Sequence, residues 1–331
     1  MKKRILLIAT GGTIASQNTE EGLQPLFSSQ QLMDYLPEAD DICNVDNVQL
    51  FSLDSTNISA THWLAMARCI EENYDKYDGF VITHGTDTMA YSAAALSYLV
   101  QNSRKPIILT GAQRPINLST TDAKINLLDS FRYCVSDEAS GVQIVFSGNV
   151  ILGTRARKIN TKSFQAFTSI NYPYLAVVHD RHIINYIYQP IGEETRFYHK
   201  LSDRVALFKL IPGVSGDYLR YFLENNDAVI VESFGVGGLP MLEKYHFQDA
   251  INWAIENGKT IVMCTQVQNE GSDMTVYQVG HQLKKHNSIL EAYDMTTEAV
   301  VTKLMWILAQ TTDPQQIRQL FYTPVSQDIL Y

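Results

Sequence analysis

The chain has 331 residues, 45% of them hydrophobic and 18% charged, with a formal net charge of −9 and a pI near 5.4. That length accommodates two domains with sizeable cores. An acidic chain with no basic cluster beyond its first few residues suits neither nucleic acid nor an anionic membrane, so a small molecule is the expected ligand.

The opening MKKRILLIA has an apolar run shorter than the roughly 7 to 15 residues of a secretory h-region, and no run reaches membrane-span length, so a cytoplasmic location is expected. Ile5 to Ala9 has the continuous apolar pattern of a parallel strand covered on both faces. It stops at Gly11-Gly12, flanked by Thr10 and Thr13. In an open α/β sheet, ligands collect beyond the carboxyl ends of such strands. Residues 16–28 are polar, carry Gly22 and Pro25, and read as a loop long enough to be a lid. A short helix capped by Ser28 or Ser29 and running through Leu36 is expected next, then a strand at 48–53 ending in Asp54-Ser55-Thr56-Asn57. Ser59 opens the following helix.

The unit repeats: a strand at 79–83, the turn HGTDTM at 84–89 and an alanine-rich helix from 90 to 100. A strand starting at 106 then ends in Gly111-Ala112-Gln113, before a helix over 119–135. Segments 142–146 and 150–153, joined by Ser147-Gly148-Asn149, form a hairpin, so the sheet is expected to be mixed. Residues 154–171, with Arg155, Arg157, Lys158 and Lys162, read equally as a solvated connector or as part of a site. The aperiodic stretch 188–203, with Pro190 and Gly192, is the expected linker between domains at 1–187 and 204–331. Beyond it, strands at 205–210, 228–233 and 260–264 alternate with helices near 215–225 and 243–257. Helices at 297–310 and 314–321 close a smaller α/β domain.

Four strand ends thus present Thr10/Thr13, Asp54/Ser55, Thr86/Asp87 and Ala112/Gln113 at one edge. Hydroxyls and carboxylates with little positive charge fit a small zwitterion better than a nucleotide phosphate, and neither a GxGxxG nor a P-loop lysine is present. A threonine hydroxyl needs a base to become a nucleophile. His84 is adjacent, but strand alternation could point it away. A lysine could serve if desolvation favoured its neutral form, which a neighbouring aspartate would oppose. The four cysteines are widely separated and the eight histidines lack metal-ligand spacing, so no metal or other cofactor is expected.

TGGTIA at 10–15, HGTDTM at 84–89 and GAQRP at 111–115 resemble the signature segments of the asparaginase/glutaminase family. GFVITHGTDTMAY, the GxRxxK pattern from Gly153 to Lys158 and DMTTEAVVTKL at 294–304 resemble its cytoplasmic type I bacterial members, so the likeness spans nearly the whole chain. The resemblance implies a two-domain α/β fold: a larger N-terminal mixed sheet with helices on both faces and a left-handed crossover, and a smaller C-terminal parallel sheet.

The resemblance also implies hydrolysis of L-asparagine to L-aspartate and ammonia. Thr13 would be the nucleophile of an acyl-enzyme route, with Thr86, Asp87 and Lys158 as a second triad in which Lys158 is the base. Asp87 would orient Lys158 and help hold the substrate's α-amino group. Backbone N–H groups of Gly12 and Thr86 would form the oxyanion hole. Ser55 would hold the α-carboxylate and Asp54 the α-amino group, with Thr56 nearby, while the Ala112 backbone would touch the leaving amide. The family further implies a homotetramer of tight dimers, each site completed by a neighbouring subunit.

Three positions depart from the family pattern. Leu23 stands where many members carry a lid tyrosine, Gly238 where relatives often have an asparagine reaching the neighbouring site, and Glu232 where an arginine is expected at a regulatory site. How Thr13 is activated therefore stays open. So do a glutaminase-asparaginase, an amidotransferase component that releases ammonia, and a non-catalytic amino-acid sensor. The amidotransferase component normally carries an extra N-terminal domain, which the early first strand argues against.

Overall fold

The computed structural model describes residues 2–20, 22–189, 194–276 and 286–330. They form two compact units, one running to His199 and the other starting at Lys200. Residues 190–193 of the expected linker lie outside the described residues.

The strands of the first unit are β1 (Arg4–Gly11), β2 (Ser16–Thr19), β3 (Gly22–Pro25), β4 (Asn44–Leu53), β5 (Gly79–Thr83), β6 (Val100–Gln101), β7 (Pro106–Thr110), β8 (Gly141–Phe146), β9 (Asn149–Leu152), β10 (Ala156–Lys158), β11 (Phe167–Ser169), β12 (Ala176–His179), β13 (His182–Asn185) and β14 (Arg196–Phe197). Eight of them make one sheet in the order β13-β12-β9-β8-β7-β5-β1-β4. From β8 to β4 the pairing is parallel, and from β8 outward to β13 it is antiparallel, so the sheet is mixed as expected.

The apolar runs of β5 and β7 are buried at every position, because a parallel strand in the middle of a sheet is covered on both faces. Ile5, Leu7, Val81 and Ile108 pack on one face with Leu32, Leu127 and Phe131 from the Ser29–Asp34 and Ala123–Cys134 helices. Alternation turns Leu6, Ile8, Phe80 and Ile82 to the opposite face. Of the two serines that could cap the first helix, Ser28 does so, in a capping box with Gln31. The Ser147-Gly148 hairpin forms with both residues at positive φ, 51° and 75°, matching the twist of its strands.

Three segments of this unit differ from expectation. Residues 16–28 were expected as a loop, yet β2 and β3 pair antiparallel from Ser16↔Pro25 to Thr19↔Gly22. Leu23 falls in β3, its side chain outside what is described. The segment read as connector or site is a second hairpin, in which Lys158 of β10 faces Phe167 of β11. The antiparallel strands β12 and β13 extend the sheet beyond the expected hairpin, turning at Asp180 and Arg181 with φ of 47° and 70°.

The second unit is a parallel sheet in the order β15 (Val205–Lys209), β16 (Ala228–Ser233), β17 (Thr260–Thr265), β18 (Ile289–Glu291). β16 and β17 are buried at every residue and form a core with Leu219, Leu223, Phe247 and Ile251 of the intervening helices. The helix expected over 243–257 is broken at His246, whose left-handed backbone (φ 57°) separates a short 3₁₀ turn from the Phe247–Glu256 helix. No helix among the described residues is long and apolar enough to cross a membrane.

Candidate active site

The carboxyl ends of β1, β4, β5 and β7 meet as bare backbone. Gly12, at φ 77°, lies so close to the next strand end that a Cβ there would fall on the backbone of Gly85. A Cβ on Gly85 would in turn stand 2.6 Å from Ser55 Oγ. Only glycine combines that backbone angle with that approach.

This packing also engages a main-chain donor of the edge. The Gly12 N–H donates to the Leu53 carbonyl at 2.9 Å, so it is already used where an oxyanion donor was expected. The cause is the irregularity between Ala9 and Gly11 that carries β1 across to Leu53 of β4. The N–H groups of Thr13 and Thr86 have no hydrogen-bond partner among the described residues.

Lys158, Thr86 and Asp87 come together as expected. Lys158 Nζ donates to Thr86 Oγ1 at 2.8 Å and to Asp87 Oδ1 at 2.6 Å. The lysine side chain is 15% exposed and that of Asp87 59%. Such a half-wet ion pair contributes more to geometry than to stability. Thr86 is buried and opens the turn into the Met89–Leu99 helix, while Thr88 Oγ1 donates to the Ser55 carbonyl at 2.7 Å and ties two strand ends together.

Thr13 begins a 3₁₀ turn (Thr13–Ala15) directly after Gly12 and is partly exposed; its hydroxyl has no hydrogen-bond partner among the described residues. Ser55 is buried beside Gly85, and Ala112 is fully buried between Gly111 and Gln113. Asp54 is exposed and caps the Ser55–Asn57 turn, its Oδ1 accepting from both the N–H and the hydroxyl of Thr56 at 2.8 Å. Capping holds Asp54 and Thr56 together at the strand end where the substrate contacts are expected. Among the described residues no cluster of three His, Cys, Asp or Glu side chains could hold a metal ion.

His84 turns away from the Thr86 hydroxyl. Its Nδ1 lies 2.7 Å from the Gly85 carbonyl and its Nε2 2.8 Å from Ser92 Oγ, which accepts the Trp63 indole N–H at 2.8 Å. Indoles only donate and carbonyls only accept, so the network assigns the proton to Nδ1 and has Ser92 donate to Nε2. Burial pushes the imidazole pKa down to about 4, and the ring is neutral at neutral pH.

A second layer was not anticipated. The Asp122 carboxylate accepts from the N–H groups of Gln113 (2.9 Å) and Arg114 (3.1 Å) and from Asn126 Nδ2 (3.2 Å). Asn126 also donates to the Gly111 carbonyl at 3.0 Å and accepts from Ser147 N–H at 2.9 Å. Asp122, Asn126 and Ser130 are all buried at four-residue spacing, so polar residues on the core side of a helix were the available signal.

Residues 4–191 match the family model for the N-terminal domain of asparaginase, and residues 204–321 that for the glutaminase/asparaginase C-terminal domain. The chain is 34% identical to the L-asparaginase of Thermococcus kodakarensis over 328 residues, covering 98% of this chain and 99% of that one. A solved structure of the thermostable L-asparaginase from that organism superposes with a TM-score of 0.92 over 99% of each chain. L-asparaginase 1 of Escherichia coli K12 is 35% identical over 96% of this chain and 95% of its own. With both units matched in order along nearly the full length, the chain belongs to the asparaginase/glutaminase family.

Proposed function

We propose that this chain hydrolyses the side-chain amide of L-asparagine to L-aspartate and ammonia, with Thr13 as nucleophile. The observation that carries the reading is the Lys158–Thr86–Asp87 cluster at the sheet edge, in a chain about a third identical to proteins named L-asparaginase.

Thr13 Oγ attacks the amide carbon, and the oxyanion that forms is met by the N–H groups of Thr13 and Thr86, a contribution of roughly 3 to 4 kcal/mol per donor in such holes. The Thr13 proton passes to the amide nitrogen, the C–N bond breaks, ammonia leaves and an ester to Thr13 remains. Water held at Thr86 then attacks the ester and passes its proton to Lys158, which returns a proton to Thr13 Oγ as the acyl bond to Thr13 breaks and L-aspartate leaves. Two N–H groups of the Lys158 amine donate to Thr86 and Asp87, and as base it receives the proton on its nitrogen lone pair. Ser55 receives the α-carboxylate, and the half-wet Asp87 the α-amino group. Asp54 serves by holding the turn that carries Ser55. The reading extends to a cytoplasmic homotetramer, as the family resemblance implies.

The test is ammonia release from L-asparagine and L-glutamine over a wide concentration range, with Thr13→Ala alongside. Release from asparagine should be the faster and should drop at least roughly a thousandfold in the variant. Undiminished release by Thr13→Ala removes the nucleophile. Saturable asparagine binding without release by the unaltered chain would make it a sensor.

A further inference from the structure

Gln113, one residue beyond the fully buried Ala112, spans two parts of the edge that no backbone hydrogen bond joins among the described residues. Its Nε2 donates to the carbonyls of Ser163 (3.0 Å) and Asn160 (3.4 Å), both in the turn of the hairpin whose first strand ends at Lys158. Its Oε1 accepts from Thr86 Oγ1 at 3.3 Å. Carbonyl oxygens only accept, so the two in the turn fix which end of the amide faces them and leave the amide oxygen for Thr86. The Thr86 proton then points at Gln113, and its lone pair is free to receive Lys158 Nζ.

The hairpin turn is also closed on itself: Ile159 N–H donates to the Ala166 carbonyl at 2.8 Å, and Asn160 Nδ2 to that of Gln165 at 2.8 Å. The turn is held to the sheet edge by the Gln113 amide and by the Arg114 guanidinium over the Phe164 ring at 5.5 Å, while Lys158 reaches Thr86 and Asp87 from the strand before it. The main chain of Gln113 is itself anchored by Asp122, so the clip stands on a fixed post.

We propose that Gln113 is a positioning residue: one side-chain amide clips the Lys158 hairpin to the sheet edge and sets the direction of the Thr86 hydroxyl. Its catalytic consequence rests on the amidohydrolase reading, whereas the clip itself can be read without turnover. Gln113→Met keeps the length and removes both hydrogen-bonding ends. We expect kcat for asparagine to fall about 10- to 100-fold, the scale of a small misplacement of catalytic groups, with KM within about twofold. Backbone amides of residues 159–166 should exchange hydrogen faster than in the unaltered chain. Gln113→Glu keeps an acceptor for Thr86 but turns an oxygen toward the two carbonyls, so it should show the same faster exchange and serves as the second variant should the first not fold. Unchanged exchange at 159–166, a kcat within twofold, or a KM that rises in step with the loss of kcat would each overturn the proposal. A merely space-filling glutamine would lower stability without that local exchange. If the unaltered chain released no ammonia, the proposed function would fall while the exchange measurement still decided the clip.

Discussion

Both units are built around parallel strands whose polar residues gather at the carboxyl ends, and they dispose of those residues in opposite ways. In the smaller sheet the fold consumes them. Ser233 Oγ donates to the Cys264 carbonyl at 2.6 Å, Thr265 Oγ1 to the Gly235 carbonyl at 2.5 Å, and Gln266 Nε2 to the carbonyls of Leu210 and Glu232. The buried Glu232 accepts from Thr297 Oγ1 at 2.9 Å and lies 3.4 Å from Lys209 Nζ. In the larger sheet the strand-end backbones interlock through glycine, and the hydroxyl and N–H of Thr13 and the N–H of Thr86 remain without partners among the described residues. Buried polar groups are ordinarily satisfied, so an edge that leaves donors over is the one prepared for a ligand. The same architecture yields a site or a scaffold according to how many polar groups its own packing uses.

The sharpest way to break this contrast is Lys158→Met, which replaces the cation of the open edge by an apolar chain of similar length. Turnover should fall by roughly a thousandfold or more, while asparagine affinity measured by calorimetry stays within a few fold. An unchanged kcat would strip the edge of its base.

A smaller effect separates the edge from its buried support. His84 is neutral in the fold with a pKa near 4, against about 6.5 in an unfolded chain. Between these two values the unfolded chain binds the extra proton, so stability falls as pH falls through this window. The loss comes to about 3 kcal/mol, fully developed below pH 4 and absent above about pH 6.5. Urea unfolding at pH 7 and pH 4.5 should show His84→Gln losing less stability on acidification than the unaltered chain. Parallel losses would place the acid sensitivity elsewhere.

The smallest effect belongs to the satisfied edge. Ser233→Ala removes one buried hydroxyl and should cost about 1 kcal/mol in denaturation while ammonia release stays as it was. A marked change in release would mean that the smaller sheet is no mere scaffold.

What the sequence disclosed follows from where the information lies along the chain. β1, β5 and β7 are continuous apolar runs cut off by glycine, and burial on both faces writes itself directly into composition. The hairpins β2–β3 and β10–β11 and the strands β12 and β13 are short and partly exposed, so pairing partners decide them more than residue type does. β18, three residues long, carries too little pattern to read. Thr86 and Asp87 announced themselves at a strand end. Lys158 did not, because its reach depends on a hairpin register, Lys158↔Phe167, that no local spacing encodes. The engagement of the Gly12 N–H by Leu53 is likewise a non-local fact, since it arises from how two strands about forty residues apart come into register.

The meeting of Gly12 and Gly85 bears on how such a chain can diverge. A floor made of main chain offers no side chain for selection to vary, and any residue with a Cβ there strikes the neighbouring strand end. A mutational library seeking a different amide preference should therefore spend its diversity on the exposed side chains of the rim and leave the glycines as invariant ground.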